Sequence, residues 1–473
     1  MGVLPDVDIT IKDGGLGRVG SASDVLGAVG IGSVRQSGVA LLFSFEDVET
    51  KVGDGPLRDF LEGVYSQVAV PCYARVLPVA STRQSFQMTR GPKNRGIGTI
   101  AAAGTPANAY TFKVAITAEG GLNEAVFRIT KNGVQGSEVT LPSNGVYTIP
   151  GTGVEVSFDV GSPTGSEKSF AEGDFYTFST AAPATTNQAL LDGVDDLINA
   201  SGIYRHIAVA GATGKSFWSA FAEKLEKLTE SHRWTWGSAA ARARNADELT
   251  DAYIADLAGD GRGSVVSKRL MVCASWVSMT DMDGYEAKRS AHGKLVGRIM
   301  KNGVAISPGW TRLGNLPGVG SLLYEPTPAQ IKALEDAGYA TCRYYDGKRG
   351  VYVSDSHLMT EATSDFDTSV RIEVMNKACR VVREAQFPYL KQGFDVLPDG
   401  RVPELEQVAA AGEQALDLMV KDKEISSGRI EIADNQDILR TKRISEEIVI
   451  IPRGQLDEIR ATIVYENPSI GDK

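Results

Sequence analysis

Val39–Asp47 (VALLFSFED), Gly53–Gln67 (GDGPLRDFLEGVYSQ) and Cys72–Val79 (CYARVLPV) decide the fold. The first and last carry the residue types and short length of strands. Between them, a Gly-Asp-Gly-Pro turn signal precedes Leu57, Leu61, Val64 and Tyr65, which recur at helical spacing. Strand, helix and strand in that order predict an α/β unit with crossover connections.

The same alternation returns after residue 183. His206–Ala210 reads as a short apolar strand, and Ser216–Ser231 (SFWSAFAEKLEKLTES) as an amphipathic helix with Phe217, Phe221, Leu225 and Leu228 on one face. Arg269–Val277 (RLMVCASWV) has the unbroken apolar run of a buried strand. Pro326–Gly338 (PTPAQIKALEDAG) has Pro near its start and Gly at its end, the asymmetry of a helix. Residues 366–390 predict a longer helix with Val370, Val374, Ala378, Val381 and Val382 on its apolar side. The α/β core is therefore drawn from both halves of the chain.

The intervening residues, about 97 to 182, have a different character. Tyr110–Ile116, Ala125–Thr130, Val154–Val160 and Phe175–Thr180 are short alternating runs separated by Gly, Asn and Pro, and Asn132-Gly133 and Asn144-Gly145 are hairpin signals. They predict an inserted all-β, sandwich-like domain closed by the linker Ser179–Asn187 (STAAPATTN). The expected division is 1–96 for an N-terminal arm and the first part of the core, 97–182 for the insertion, 183–400 for the remaining core and 401–473 for a C-terminal region. The fold class is thus α/β and α+β multidomain with extended terminal strands.

Those terminal strands are read at both ends. Asp6–Ile11 alternates polar with apolar residues, placing Val7, Ile9 and Ile11 on one face. After a helix over Glu406–Asp422, Ile444–Ile451 and Leu456–Glu466 are strand-like runs split by Pro452-Arg453-Gly454, and Ile459, Ala461, Ile463 and Tyr465 share a face of the second. Such strands leave backbone donors and acceptors open, and adding to a neighbouring copy's sheet satisfies them.

Composition narrows the function classes. The chain has 473 residues, 42% hydrophobic and 23% charged, which fits a soluble globular protein of two to four domains. No apolar run approaches membrane-spanning length, and the N-terminus lacks the pattern of a signal peptide, so folding in a cytoplasm is expected. With net charge −10 and mixed signs along the chain, nucleic-acid binding is disfavoured. The four cysteines, Cys72, Cys273, Cys342 and Cys379, show no CxxC spacing and predict buried free thiols.

Enzymatic motifs are incomplete. Gly211–Ser216 (GATGKS) sits between strand and helix like a phosphate-binding loop, but its first position is Val209 where the motif requires Gly. A loop-to-helix turn capped by Thr213 or Ser216 is the simpler reading. His206, His232, His292 and His357 have no metal-type spacing, and Thr280–Gly284 (TDMDG) lacks the full calcium-loop pattern. Neither a catalytic residue, a cofactor nor a metal is expected.

Ser307–Leu322 (SPGWTRLGNLPGVGSL) and Leu334–Glu384 resemble the core of contractile phage tail sheath proteins, especially a sheath-like family of originally unknown function. The shared elements are Gly338-Tyr339, Gly350-Val351-Tyr352, Ser364-Asp365-Phe366 and a helix carrying Arg371, Lys377, Arg380 and Arg383. The Gly-Thr and Arg-Thr signature of the commonest myophage sheaths is not intact here. The resemblance implies a non-enzymatic virion subunit, made in the host cytoplasm, that polymerises into a helical cylinder around an inner tube and contracts. It implies homo-oligomerisation through arm strands at Val7, Ile9, Ile11, Ile459, Ala461, Ile463 and Tyr465. The tube, baseplate and tail terminator proteins are its implied partners, without membrane insertion. Helices of the C-terminal region would face the tube, with Lys421, Lys423 and Arg429, or Glu404, Glu406 and Glu413, supplying charge. The alternatives are a tube or baseplate component and, less favoured, a P-loop-like enzyme.

Overall fold

A computed structural model describes residues 24–79, 82–200, 203–282, 284, 286–433, 436–463 and 465. The chain forms two compact units, Met1–Lys377 and Ala378–Lys473. The first opens with β1 (Leu26–Gly32), β2 (Val39–Leu42), α1 (Phe45–Lys51), α2 (Pro56–Tyr65) and β3 (Cys72–Pro78). β1 went unread in the sequence: every residue of LGAVGIG is buried, so it has no alternation to betray a strand. Its glycines have a packing reason. A Cβ on Gly32 would come within 2.6 Å of the Val52 carbonyl oxygen.

The insertion follows as β4 (Gln84–Phe86), β5 (Thr89–Arg90), β6 (Thr99–Gly104), β7 (Thr111–Ala118), β8 (Val126–Lys131), β9 (Val134–Thr140), β10 (Val146–Ile149), β11 (Val154–Asp159) and β12 (Phe175–Ser179). They form two sheets, ordered β10-β11-β6-β4 and β5-β12-β7-β8-β9, with Phe112, Phe127, Phe158, Phe170 and Phe178 in the core between them. This is the expected sandwich, and β4 and β5, which precede residue 97, belong to its sheets. Asn132-Gly133 makes the β8–β9 hairpin, both residues having positive φ (51° and 88°) as a type I′ turn requires. Asn144-Gly145 does not make a hairpin. It lies on the passage from β9 to β10, which belong to different sheets.

The first unit continues through α3 (Asn187–Ala200), β13 (His206–Thr213), α4 (Lys215–Glu230), β14 (Trp236–Ala241), α5 (Thr250–Asp260), β15 (Leu270–Cys273), β16 (Trp276–Thr280), β17 (Glu286–Ser290), α6 (His292–Lys301), β18 (Val319–Leu322), α7 (Pro328–Asp336), β19 (Tyr339–Arg343), β20 (Tyr352–Asp355) and α8 (Ser369–Gln386), within which the division between units falls. The run read as one strand, RLMVCASWV, breaks at Ala274-Ser275. β15 stays in the main sheet and β16 enters a separate sheet ordered β17-β16-β18.

Among the described residues the main sheet has the order β2-β3-β1-β13-β14-β15-β19-β20, with β3 through β19 parallel and antiparallel strands at both edges. Counting only the parallel strands in chain order, this is 2-1-3-4-5-6, a doubly wound arrangement whose order reverses between β1 and β13. Helices cover both faces. α2 and α6 pack on one through Leu57, Leu61, Val64, Leu295 and Ile299, and α3, α4, α5 and α7 on the other through Val194, Phe217, Phe221, Leu257 and Leu334. α2 and α6 approach so closely that a Cβ on Gly63 would meet the Gly293 carbonyl carbon at 2.7 Å.

In the second unit, α9 (Leu405–Lys421) packs beneath β21 (Ile425–Ile432), α10 (Ile438–Thr441) follows, and β22 (Glu446–Pro452) pairs antiparallel with β21. Pro452 ends the strand, as expected of Pro near a strand terminus.

Candidate assembly surfaces

The backbone that can accept another chain lies in the second unit. β21 and β22 form a two-stranded sheet, with Ile430 opposite Ile448 and Arg429 opposite Val449. Ile425 and Ile430 are buried against α9, where the absence of a side chain at Gly412 admits Ile430. A two-stranded sheet is marginal by itself and presents two open edges. The β21 edge is blunted at one point, because the Ile430 N–H donates to Glu413 Oε1 at 2.9 Å. Among the described residues no strand covers β22 on its outer side.

The segment after β22 differs from its expected form. Leu456–Glu466 was read as a strand, yet residues 453–463 and 465 have no regular secondary structure. Their exposure explains why: Leu456 is 76%, Ile459 80% and Ile463 92% exposed, and Ala461 and Tyr465 are also exposed. Among the described residues no strand pairs with this strand-forming sequence. At roughly 1.5–3 kcal/mol for burying each large apolar side chain, a segment carrying four is strongly biased toward a partner surface. The N-terminal residues Val7, Ile9 and Ile11 lie outside the described residues.

The charged residues read as a tube-facing group are not on one helix. Lys421 ends α9, Lys423 occupies the following turn with φ 59° and Arg429 lies on β21, where Glu431 Oε1 pairs with it at 2.5 Å. The sequence reading missed β21 because in ISSGRIEI two Ser and a Gly follow Ile425 and interrupt the apolar alternation. Of the acidic alternatives, Glu413 holds the Ile430 amide, while Glu404 accepts from the Asp395 N–H at 3.4 Å.

The loop resembling a phosphate cradle is built for packing. Gly214 is the α4 N-cap without a side-chain cap bond, so neither Thr213 nor Ser216 has the role expected of it. Thr213 Oγ1 instead donates to the Ala240 carbonyl at 2.9 Å and accepts from the Trp218 indole at 2.8 Å. Ser216 Oγ accepts from Asn187, and Lys215 pairs with Asp260 at 3.6 Å. The crevice at the reversal of strand order, where doubly wound proteins hold ligands, is a cleft of about 1390 Å³ lined by Ile31, Ser33 and Ala210 together with residues of the insertion. Its wall carries Asp54, Asp59 and Arg289. Tyr110 Oη donates to Asp54 Oδ2 at 2.7 Å, and Asn108 Nδ2 donates to Asp54 Oδ1 and Asp59 Oδ2 at 3.2 and 3.0 Å, tying the insertion to the core. Arg289 sits between Asp59 (2.9 Å) and Glu62 (2.6 Å). Burial pushes the Asp59 carboxyl above its usual range, opposed by Arg289. Cations and carboxylates share this lining, with Arg58, Lys131, Lys288 and Arg289 beside Glu49, Asp54, Asp59, Asp281 and Glu286.

The fold does bring two dispersed histidines together. His206 Nε2 and His292 Nε2 both lie 2.6 Å from Ser238 Oγ, and all three residues are buried. Burial holds both imidazoles neutral, His292 down to about 3 and His206 well below its ordinary value, helped by its neighbours His292 and Arg205. The Ser–His distance is that of a nucleophile and its base, but the hydroxyl is enclosed between sheet and helix and bonded on both sides. Burial likewise raises the thiols of Cys72, Cys273 and Cys342. Among the described residues no cluster suited to a metal and no helix long and apolar enough to cross a membrane occurs.

Comparison with known proteins places the chain. Its architecture matches that of a sheath protein in an extracellular contractile injection system, the PVC sheath complex in the contracted state (TM-score 0.55, 9% identity, 98% of each chain covered). It also matches chains in the anti-feeding prophage baseplate, in the contracted state (0.56, 10%, 98% of this chain and 99% of that one) and six-fold symmetrised (0.53, 12%, 98% and 100%). At such identity the likeness is one of fold. No curated protein matches the sequence. Residues 4–357 match the N-terminal domain model of DUF2586 and residues 365–469 its C-terminal domain model. The chain belongs to the DUF2586 family, with the fold of contractile-sheath proteins.

Proposed function

We propose that this protein is the structural subunit of a contractile tail sheath, polymerising into a helical cylinder around an inner tube and contracting to drive that tube through a cell envelope. The observation that carries the reading is the presence, in one chain, of an open sheet edge at β22 and an apolar, strand-forming tail that, among the described residues, no strand pairs with. Tail of one copy and edge of the next are complementary by main-chain hydrogen bonding, and the contact repeats head to tail without closing on itself. The full-length likeness in fold to a contracted-state sheath complex supports the same reading.

In this account, residues 1–96 supply an arm and the start of the core, 97–182 decorate the outer surface and 183–400 complete the core. Residues 401–473 lie toward the tube and carry the second arm. Val7, Ile9 and Ile11 at one end, and Ile459, Ala461, Ile463 and Tyr465 at the other, form the exchanged strands. Lys421 and Lys423, both exposed, are proposed to meet the tube together with Arg429. The subunit works without catalysis or cofactor, within a virion or related particle that also contains baseplate and terminator proteins.

Two of the fold neighbours come from baseplate structures, which favours as the second reading a component confined to the baseplate. Negative-stain microscopy separates them. A sheath subunit purified alone forms long cylinders, and a chain truncated after Gly454 remains a folded monomer that forms none. Isolated rings from the full chain support the baseplate reading, and cylinders from the truncated chain refute the arm assignment.

A further inference from the structure

The far edge of the main sheet carries a feature that the arm strands do not use. The β19–β20 hairpin turn presents Arg343, Tyr344, Lys348 and Arg349, and the segment containing Trp310 and Arg312 is held beside the hairpin. Leu316 N–H donates to the Val351 carbonyl at 2.7 Å, and the buried Arg298 fixes the carbonyls of Gly314 and Asn315 at 2.9 and 2.6 Å. The turn is built rather than loose. Arg343 stacks over Tyr345 at 4.7 Å, Tyr345 meets Tyr352 edge-on at 5.4 Å, and Tyr344 Oη accepts from the Leu322 N–H at 2.8 Å.

Two properties set this surface apart. Trp310 and Tyr344 are nearly half exposed (48% and 45%), and Arg312 lies over the Trp310 ring at 5.9 Å. Among the described residues, none of Arg312, Arg343, Lys348 and Arg349 has a carboxylate within ion-pair distance, whereas Lys51, Lys224, Lys227 and Lys332 each do. With Asp346, residues 310–312 and 343–350 sum to +3, so the remainder of a chain of net −10 carries −13. Aromatic rings flanked by unpaired cations are the composition of a recognition surface, with Trp, Tyr and Arg as its anchors.

We propose that this basic and aromatic corner docks onto the acidic surface of an adjacent copy in the polymer, as an electrostatic contact separate from strand exchange. The occupant follows from charge. A patch of +3 on a chain whose remaining residues sum to −13 is complementary to another copy of itself, and a contact between unlike surfaces propagates as an open lattice. Exposed charges are screened by salt, which makes this contact tunable where the main-chain pairing is not. The proposal rests on the sheath reading.

The test is polymer sedimentation against NaCl concentration for the full chain and for Lys348→Glu/Arg349→Glu, both on an exposed turn. Unchanged thermal unfolding of the variant monomer establishes that it folds. The wild type should require more protein to assemble as salt rises. The variant should need about tenfold more at low salt, the effect of removing two to three exposed ion pairs, with its salt dependence flattened. Lys348→Gln/Arg349→Gln should fall between. An unchanged assembly threshold and salt dependence in the charge-reversed variant overturns the contact alone. A wild type that forms no polymer at any salt overturns the sheath reading and this contact with it. Duplex DNA retained by the wild type and lost by the variant, with assembly unaltered, overturns it in favour of a nucleic-acid surface.

Discussion

Replacing Glu373 by Ala should destabilise the first unit by about 3–5 kcal/mol, the cost of breaking a buried pair from one side, because the second carboxylate beside Arg205, Asp24 at 3.4 Å, is half-exposed and compensates it only weakly. Glu373 on α8 and Arg205 at the start of β13 are both buried. The guanidinium donates to Glu373 from Nε at 2.9 Å and from one terminal nitrogen at 3.0 Å, and Trp236 Nε1 donates to the same carboxylate at 3.3 Å. Arg205 also donates to the carbonyls of Ile299 and Asn302, both at 3.0 Å, at the C-terminal end of α6, where a cation is favoured. With about 2.1 cal/mol/K per residue of unfolding entropy over roughly 350 residues, a loss of about 4 kcal/mol lowers the Tm by about 5 °C. Scanning calorimetry on the monomer measures it. Arg205→Met/Glu373→Leu removes both charges and should recover most of the loss, since an apolar pair of similar volume is often neutral or better. A fall of less than about 1 °C in Glu373→Ala, or a double variant as unstable as the sum of its singles, refutes the assignment of the pair as a coupled unit.

Gly63→Ala should destabilise by about 1–3 kcal/mol by forcing α2 from α6, measurable as a lower urea midpoint. Tyr110→Phe, which removes the hydroxyl bonded to Asp54, should cost about 1 kcal/mol and increase protease nicking between the insertion and the core, read by limited proteolysis. The buried histidines make stability acid-sensitive. Their folded pKa values lie below the unfolded value of about 6.5, so the unfolded state binds more protons below that pH. Their contribution is whole above pH 6.5 and declines as pH falls, by up to about 1.4 kcal/mol per pH unit for each histidine. Urea midpoints at pH 7 and 5 should differ accordingly, and the difference should shrink in His292→Gln.

Elements with a clear period were legible in the sequence. α2 and α4 follow from their apolar stripes, and α7 from Pro near its start and Gly at its end; its Thr327 capping box is seen in the structure. In the insertion, β7, β8, β11 and β12 follow from alternation and turn residues. β1 was not legible, because a strand buried on both faces and rich in glycine has no alternation, and Val29 and Ile31 are its only β-branched residues. The 3.6- and 2-residue periods also say nothing about which strands become neighbours, so the order reversal at β1 and β13 and the meeting of His206 with His292 needed the fold. The candidate arm is an apolar alternating sequence whose expected pairing is with another copy, and in the single chain its described residues have no regular secondary structure. Strand propensity depends on a neighbouring strand, and among the described residues none pairs with Ile459, Ala461, Ile463 or Tyr465.

The central claim is that the C-terminal tail completes the sheet of another copy, and backbone amide exchange tests it most directly. Residues 456–465 should exchange at unprotected rates in the monomer. In the cylinder, the donors among them that face the partner strand should slow by at least about a hundredfold, together with the outward-facing amides of β22. Unprotected exchange of the tail within intact cylinders would contradict the account.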